Sequence, residues 1–295
     1  MCGSYSRPSR GFRFHFVSVM TVFCESEFHA MNKALCLLLV AASLLLSGCA
    51  ASRDRPASDA RAVLAPTGTL RVGVSVGSPT QMVRFGPQAE RRGVSHDIGR
   101  ALATRLNVPV EVVEFRTGNE LLAATKAGRV DLMGTNATAV RAMDVDFTAT
   151  VVEIELGYLV PAGSVLQSAD EMKRPGLRVG VTQNSTSQTT VPQRLPQAVV
   201  VLAPTLAAAS RLIKEGGVDV YTTNKAILFE LSDDLPGSRV LPGSVGVELW
   251  AMAVPKGRQA ALPYLNSFLQ EVRQSGELAR AMERAGLRGA RLPSP

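Results

Sequence analysis

The chain has 295 residues, with 32 Lys and Arg against 25 Asp and Glu, 46% hydrophobic residues, 3 His and 4 Cys. That length allows one large domain or two of ordinary size, and so apolar a chain excludes disorder as its main state. Four Cys in a chain this long are too few for a disulfide scaffold.

The segment that begins at Met31 has the layout of a secretory signal. A short start is followed by an apolar run of 13 residues, 34–46, and then by small residues. Spanning a bilayer takes about 20 apolar residues, so this run predicts a signal peptide rather than a membrane anchor. The sequence Leu-Ser-Gly-Cys at 46–49 resembles the lipobox of bacterial lipoproteins, in which the Cys carries the lipid. The alternative is a plain signal peptide or a buried helix with a chance Cys.

We therefore expect Met31 to be the true start, residues 1–48 to be an upstream extension plus signal peptide, and Cys49 to be lipidated. The remaining 247 residues carry 28 Lys and Arg against 23 Asp and Glu, with His96 and Cys49 as their single His and Cys. No disulfide can form within such a chain. No His or Cys cluster exists for zinc or for a Ser-His-Asp site. We expect no metal, no cofactor and no catalytic residues, and chemistry limited to Arg, Lys, carboxylates, amides, hydroxyls and the backbone.

Strands and helices alternate along the folded region. Residues 49–68 are rich in Ala, Ser, Arg and Asp without apolar periodicity, which predicts a flexible tether. The alternation that follows predicts parallel sheet covered on both faces. Strands are predicted at 70–75, 110–115, 130–134 and 248–254, and helices at 97–106, 119–127 (capped by Asn119), 205–215, 260–274 and 277–285.

Two sequence patterns occur twice in the same order. The segment Leu-Arg-Val-Gly-Val at 70–74 returns letter for letter at 177–181. A Val-Asp pair followed by Thr-Asn ends at Asn136 and again at Asn224. Such a repeat predicts two α/β lobes of similar topology, with Asn136 and Asn224 on opposite walls of one cleft.

From about residue 70 to 287 the chain resembles the bacterial extracellular solute-binding proteins of family 3, whose best-known members bind amino acids for ABC importers. The resemblance rests on five collinear segments. They are Leu-Arg-Val-Gly-Val at 70–74, Gly93 with Asp-Ile-Gly-Arg-Ala-Leu-Ala at 97–103, Gly-Arg-Val-Asp-Leu at 128–132, Thr-Ala-Val-Arg at 138–141 with Val-Asp-Phe at 145–147, and Ala-Val-Pro-Lys-Gly at 253–257.

The resemblance implies a periplasmic-binding-protein-like α/β fold of type II, with two lobes of mixed five-stranded sheets joined by two crossing strands. Residues 69–152 and 248–292 would form lobe 1, and residues 155–247 lobe 2. The crossings would fall near 152–155 and 247–248.

The resemblance also implies a binding site. The Arg that matches Arg141 grips the ligand carboxylate in that family, because a guanidinium gives two parallel hydrogen bonds. Gly134, through its backbone, and Asn136, through its side chain, match neighbouring contacts. Ser185 and Thr186 match a turn that opens a helix and offers donors to the same carboxylate. The alternatives are a surface or structural Arg141 and an ordinary N-cap at Ser185.

Two further expected ligand-binding residues depart from the family pattern. Asn224 and Ser75 stand where binders of α-amino acids usually have Asp. Ser78 and Gly118 stand where aromatic residues often sandwich the ligand. The sequence therefore predicts a small carboxylate-bearing ligand and favours an ordinary α-amino acid less.

Three acidic residues near the crossings, Glu153, Glu155 and Glu248, could still supply a negative charge. The alternative for each is a solvated or hinge position.

Together with the lipoprotein signal, the resemblance implies a monomeric periplasmic lipoprotein, anchored through Cys49, that passes its solute to an ABC permease. Nucleic-acid binding is not expected, because the positive charges are scattered along an exported chain. The alternatives are a periplasmic dehydratase of the cyclohexadienyl dehydratase type and a ligand-sensing lobe for a membrane receptor. The dehydratase would need a general acid, and His96 is expected at the surface.

Overall fold

The computed structural model describes residues 55–294 apart from Gly86, Pro87 and Ala89, so Met31 and Cys49 lie outside the described residues. The strands are β1 (Leu70–Ser75), β2 (Val83–Phe85), β3 (Glu90–Arg92), β4 (Val110–Phe115), β5 (Leu132–Asn136), β6 (Val145–Val160), β7 (Arg178–Thr182), β8 (Val199–Ala203), β9 (Val220–Asn224), β10 (Arg239–Val240), β11 (Gly246–Pro255) and β12 (Ala290–Arg291). The helices are α1 (Arg55–Leu64), α2 (Val94–Leu106), α3 (Gly118–Lys126), α4 (Thr186–Arg194), α5 (Leu206–Lys214), α6 (Lys225–Asp234), α7 (Leu262–Gln274) and α8 (Glu277–Arg284). Within these residues, each helix is too short or too polar to cross a bilayer.

Two long strands, β6 and β11, connect the halves of the molecule. The strand order is β4-β1-β5-β11-β6-β9-β7-β8, with β10 and β12 also paired to β6. In lobe 1, β4, β1 and β5 run parallel, and β11 is antiparallel to β5. In lobe 2, β8, β7 and β9 run parallel, and β6 is antiparallel to β9. The predicted fold, two lobes with mixed sheets and two crossing strands, is confirmed.

The predicted crossings lie opposite each other in the β6–β11 ladder, where Val247 pairs with Glu155 and Trp250 with Val152. The two connections between lobes are therefore hydrogen-bonded to each other. The exact lobe boundaries stay a prediction.

The internal repeat builds the same junction in each lobe. In lobe 1 the backbone N–H of Arg71 donates to Asp131 Oδ2 over 3.0 Å, and the two side chains pair at 2.7 Å. In lobe 2 the N–H of Arg178 donates to Asp219 Oδ2 over 2.8 Å, and the side chains pair at 2.6 Å. The repeated Arg and Asp thus join β1 to the chain that enters β5 in lobe 1, and β7 to the chain that enters β9 in lobe 2.

The repeated glycines are required by close packing. A Cβ on Gly73 would lie 2.4 Å from Leu121 Cδ1, and one on Gly180 would lie 2.5 Å from Tyr221 Cδ2. Any larger residue would push the covering side chain away from the sheet.

Each sheet buries both faces, as the alternation of strands and helices predicts. In lobe 1, one core contains Val72, Leu102 and Phe268, and the other contains Leu121 and Met133. Lobe 2 has separate cores around Val179 and Val191 and around Leu159 and Tyr221. Because α7 packs into the first core of lobe 1, the chain returns to complete that lobe.

The predicted tether needs correction where the structure describes it. Residues 55–64 form α1, in which Ala60 is 4% and Leu64 0% exposed, and both join the lobe 1 core. The reason is a short apolar stripe with a spacing of four residues, formed by Ala and Leu among charged residues. A second correction is the cap of α3, where Thr117 rather than Asn119 accepts the N–H of Glu120.

Candidate functional site

Parallel strands of the two lobes end at one cavity of about 160 Å³. The last residues of β1, β5, β7 and β9 all line this cavity; they are Ser75, Asn136, Thr182 and Asn224. Hydroxyl and amide side chains dominate its wall, and its charged lining residues are Arg116, Arg141 and Glu248. The repeated strand ends therefore build a polar cleft between the lobes, as expected at the carboxyl ends of parallel strands.

Most of the predicted binding residues meet at this cavity. Gly134 does not line it: its carbonyl oxygen accepts a hydrogen bond from Gln81 Nε2. A Cβ on Gly134 would lie 2.0 Å from Cζ2 of Trp250, so the glycine makes room for the indole behind the wall. The predicted residues that do line the cavity are Ser75, Asn136, Arg141, Ser185, Thr186 and Asn224.

Arg141 begins a single 3₁₀ turn, Arg141–Met143, that follows β5. Its backbone N–H donates to Thr138 Oγ1 over 3.3 Å, and its Nη1 makes a long contact of 3.4 Å to the carbonyl oxygen of Asn136. Burial lowers the pKa of the guanidinium, and the charge of Glu248 opposes that shift. The guanidinium has five donors, so it retains capacity for a ligand.

The start of α4 forms the facing wall in lobe 2. Ser185 caps this helix by accepting the N–H of Gln188, so its N-cap role is confirmed while its ligand contact stays a prediction. Thr186 Oγ1 accepts a hydrogen bond from Asn136 Nδ2 over 3.0 Å. Asn136 ends a lobe 1 strand and Thr186 begins a lobe 2 helix, so this bond joins the two lobes beside the cavity.

Asn224 uses both ends of its amide within the protein. Its Oδ1 accepts the N–H of Ile227, 3.1 Å away, and caps α6. Its Nδ2 donates to Glu248 Oε2 over 3.2 Å. The amide oxygen is therefore already engaged, and the amide nitrogen is hydrogen-bonded to a carboxylate that also lines the cavity.

Glu248 differs from the other two acids near the crossings in its position and in its partners. It lines the cavity and is 4% exposed. Glu153 instead pairs with Arg291 at 2.6 Å, and Glu155 pairs with Lys225. Of the three acids that the sequence offered as sources of a negative charge, Glu248 is therefore the one that lines the cavity. The available sequence signal was the two-residue spacing from Glu248 to Trp250, which puts both side chains on one face of β11.

The surroundings of Glu248 shift the pKa of its carboxyl group in two opposite directions. Burial raises its pKa, while hydrogen bonds from Asn136, Asn224 and Thr186 and the charge of Arg141 oppose the shift. Within the part of the chain that the structure describes, no ion pair joins Arg141 and Glu248 within 4.0 Å. Arg141 and Glu248 are therefore a cationic and an anionic group of the cavity wall that influence each other without direct contact.

One aromatic residue, Trp250, lines the cavity together with Ser78 and Gly118. Its indole Nε1 is buried without a hydrogen-bond partner. The wall thus offers one ring rather than a pair that could sandwich a ligand.

His96 lies away from the cleft. It is 7% exposed, contradicting the expected surface position, and its Nδ1 lies 2.9 Å from Asp97 Oδ1. It does not line the cavity. Among residues 55–294, no group of three or more His, Cys, Asp and Glu is arranged to hold a metal ion.

Comparisons with known proteins agree with this architecture. The chain is 24% identical over 254 residues to the ABC transporter glutamine-binding protein GlnH of Bacillus subtilis, covering 82% of this chain and 92% of that protein. Among solved structures, it is 26% identical to an ancestral arginine-binding protein bound to glutamine, with a TM-score of 0.65, covering 75% of this chain and 98% of that one.

A third likeness concerns the fold alone. An ancestral amino-acid-binding protein described as a precursor of cyclohexadienyl dehydratase is 24% identical, with a TM-score of 0.63, covering 74% of this chain and 95% of that one. The family profile of bacterial extracellular solute-binding proteins, family 3, matches residues 70–286. With a cleft between two lobes and this match over most of its length, the chain belongs to the bacterial extracellular solute-binding proteins of family 3.

Proposed function

We propose that this protein captures a small carboxylate-bearing solute, an amino acid or a related organic acid, and delivers it to an ABC permease. The observation that carries the proposal is Arg141, which lines a polar cavity of about 160 Å³ and has no acidic side chain in direct contact among the described residues. A carboxylate complements such a guanidinium through two charge-assisted hydrogen bonds. The named function of the Bacillus subtilis relative supports the transporter assignment.

Calorimetric titration tests the ligand class. The Cys49→Ser variant, which cannot be lipidated at that position, would be titrated with the standard amino acids and with small organic acids. We expect saturable binding of at least one carboxylate. Failure of every carboxylate to bind, with the protein folded by circular dichroism, would reject the proposal.

Gene deletion tests the delivery step and separates it from sensing. Loss of solute uptake on deletion supports transport. Intact uptake with a changed transcriptional or motility response supports the ligand-sensing alternative.

We propose further that the protein is a periplasmic monomer tethered by lipid on Cys49, with translation starting at Met31. The signal layout at 31–49 and the extracellular character of the family support this location. Lipid on Cys49 predicts that the protein fractionates with membranes and that Cys49→Ser releases it. Intact mass of the precursor would show whether residues 1–30 are translated.

We propose binding without turnover. The cavity-lining residues include one carboxylate, Glu248, and no His, Cys or Lys, so they offer no acid–base pair. The dehydratase alternative would have to use Glu248 as its general acid. Incubation with prephenate or arogenate should yield no aromatic product, and its formation would establish the enzyme.

A further inference from the structure

We propose that Glu248, on the crossing strand β11, is the specificity-determining residue that accepts the ammonium group of the ligand, and that Asn224 positions it. The inference rests on the proposed function, because it assigns a second recognition group to the same cavity. It places the cation-binding carboxylate on a strand that joins the lobes, at one of the three acidic positions near the crossings that the sequence left open.

The first argument is an incomplete pairing of charges. Glu248 is 4% exposed and receives a hydrogen bond from Asn224, but no basic side chain of the described region pairs with it within 4.0 Å. Buried carboxylates are normally matched by a cation as well as by hydrogen-bond donors. The cavity lies beside Glu248, so a cation on the ligand can supply the missing charge.

The second argument is the position of Arg141. Arg141 and Glu248 line one cavity, and each charge shifts the pKa of the other without forming an ion pair within 4.0 Å. A ligand that carries a carboxylate and an ammonium on one carbon, as an α-amino acid does, could offer a partner to each of these charges. A simple carboxylate would satisfy Arg141 and leave Glu248 without a cation.

The third argument is the identity of residue 224. The Asn224 Oδ1 caps α6, and Nδ2 lies 3.2 Å from Glu248 Oε2, where it donates a hydrogen bond. An Asp there would put a second carboxylate against the first, and like charges at that distance repel. The amide is therefore the side chain that suits a neighbouring carboxylate. Asn at position 224 with Glu at position 248 carries the same net charge as Asp at position 224 with an amide at position 248.

Four variants test this arrangement in the full chain: Glu248→Gln, Asn224→Asp, the double variant with both changes, and Glu153→Gln as control. The control removes a carboxylate from the same pair of crossing strands, but one that pairs with Arg291 and does not line the cavity. The probes are the standard L-amino acid that binds most tightly and its analogue with the α-ammonium replaced by hydrogen. Affinities are measured by calorimetry at pH 7.

Wild type and Glu153→Gln should prefer the amino acid over the deaminated acid by about tenfold or more, the value of one charge-assisted bond. Glu248→Gln should lose that preference while it binds the deaminated acid with little change. The double variant, which moves the carboxylate to position 224, should regain a preference. Asn224→Asp alone should bind the amino acid more weakly than wild type, because two adjacent carboxylates disturb Glu248.

A Glu248→Gln variant that keeps its preference would overturn the inference. An equal loss of affinity for the amino acid and for the deaminated acid would also overturn it, because it would show that Glu248 only maintains the structure around Arg141. If organic acids bind and no amino acid does, the inference fails and the proposed function stands; if no carboxylate binds, both fail. If Glu248→Gln does not fold, Asn224→Asp decides: amino-acid binding as tight as in wild type would reject the inference.

Discussion

Glu248 lies between two exposed apolar neighbours, Val247 at 43% and Leu249 at 46% exposure, while Glu248 itself is 4% exposed. This reverses the usual pattern of a strand at a surface, where the apolar side chains point inward. The reversal occurs because the inward face of β11 at this point borders the polar cleft. A charged residue at a strand position whose side chain points to the buried face therefore indicates a ligand-binding site.

Substitution of Arg141 gives the most direct prediction at the scale of one residue. Arg141→Ala should weaken ligand binding at least about tenfold, roughly 1.4 kcal/mol, because two charge-assisted hydrogen bonds are lost. Unfolding should change little, since the guanidinium makes only a long contact to Asn136. Calorimetry and thermal unfolding measure both effects, and unchanged affinity would remove Arg141 from the site.

The raised pKa of Glu248 predicts how stability depends on pH. A carboxyl with a higher pKa in the folded than in the unfolded state binds protons more strongly when folded, so its contribution to stability falls as pH rises between the two values. Burial is the main cause, and Arg141 is the charged group that opposes it. Ligand-free wild type should therefore lose stability relative to Glu248→Gln as pH rises above about 4.5, the ordinary value for Glu.

Urea unfolding of wild type and Glu248→Gln at pH 4 and pH 8 checks this sign. A difference in unfolding free energy that is the same at both values would show that Glu248 has an ordinary pKa.

At the scale of elements, the same Arg–Asp junction occurs in two environments. Asp131 is fully buried and pairs with both Arg71 and Arg258, whereas the side chain of Asp219 is 34% exposed and pairs with Arg178. The Arg and Asp of the sequence repeat are the same in the two lobes, but the Asp side chain is buried in lobe 1 and partly exposed in lobe 2. Coulombic interactions are screened at the surface and persist in the interior.

This difference predicts unequal costs for the same substitution. Asp131→Asn should lower the free energy of unfolding by about 3 kcal/mol, because it leaves partly buried guanidinium groups without their carboxylate. Asp219→Asn should lower the free energy of unfolding by only about 0–1 kcal/mol, because its ion pair is partly exposed. Chemical denaturation of both variants checks the ratio, and equal losses would contradict it.

Helix α1 gives a second prediction at this scale. Leu64 is 0% exposed in the lobe 1 core, so Leu64→Ala should destabilise the protein by about 2–5 kcal/mol. Thermal or urea unfolding measures the change, with exposed Val165→Ala as a control. A loss below about 0.5 kcal/mol would show that α1 does not contribute to the core in solution.

Element positions were largely predictable from sequence. The strands Leu70–Ser75 and Val110–Phe115 match their predicted ranges, because runs of β-branched residues define them locally. The strand predicted at 130–134 is displaced to Leu132–Asn136, since the Val-Asp pair before it serves the Arg junction. Helix α1 was missed because only Ala and Leu mark its buried face.

At the scale of the molecule, two lobes with separate cores meet across a polar cleft and share two paired strands. Small rotations at the β6–β11 crossings can open and close such a cleft. The hydrogen bond from Asn136 to Thr186 already joins the lobes beside the cavity, so the structure corresponds to a state with the walls in contact.

Binding should therefore stabilise the whole protein. A ligand at 100 times its dissociation constant raises the free energy of unfolding by about 2.7 kcal/mol. A thermal shift of wild type at that concentration checks this, and Arg141→Ala at the same concentration should show a clearly smaller shift, since tenfold weaker binding leaves about 1.4 kcal/mol of stabilisation or less. An equal shift in the variant would place the ligand elsewhere.

The sequence by itself determined the alternation of strands and helices, the internal repeat and the placement of Asn136 and Asn224 at strand ends. These features depend on local periodicity and on repetition along the chain. Only the tertiary structure decided among Glu153, Glu155 and Glu248, which are acidic residues on similar extended segments. Two of them meet basic partners, Arg291 and Lys225, and the third turns toward the cleft. Burial and pairing arise from which segments pack together, so the spacing from Glu248 to Trp250 could put the two side chains on one face but could not show which of the three acids lacks a basic partner.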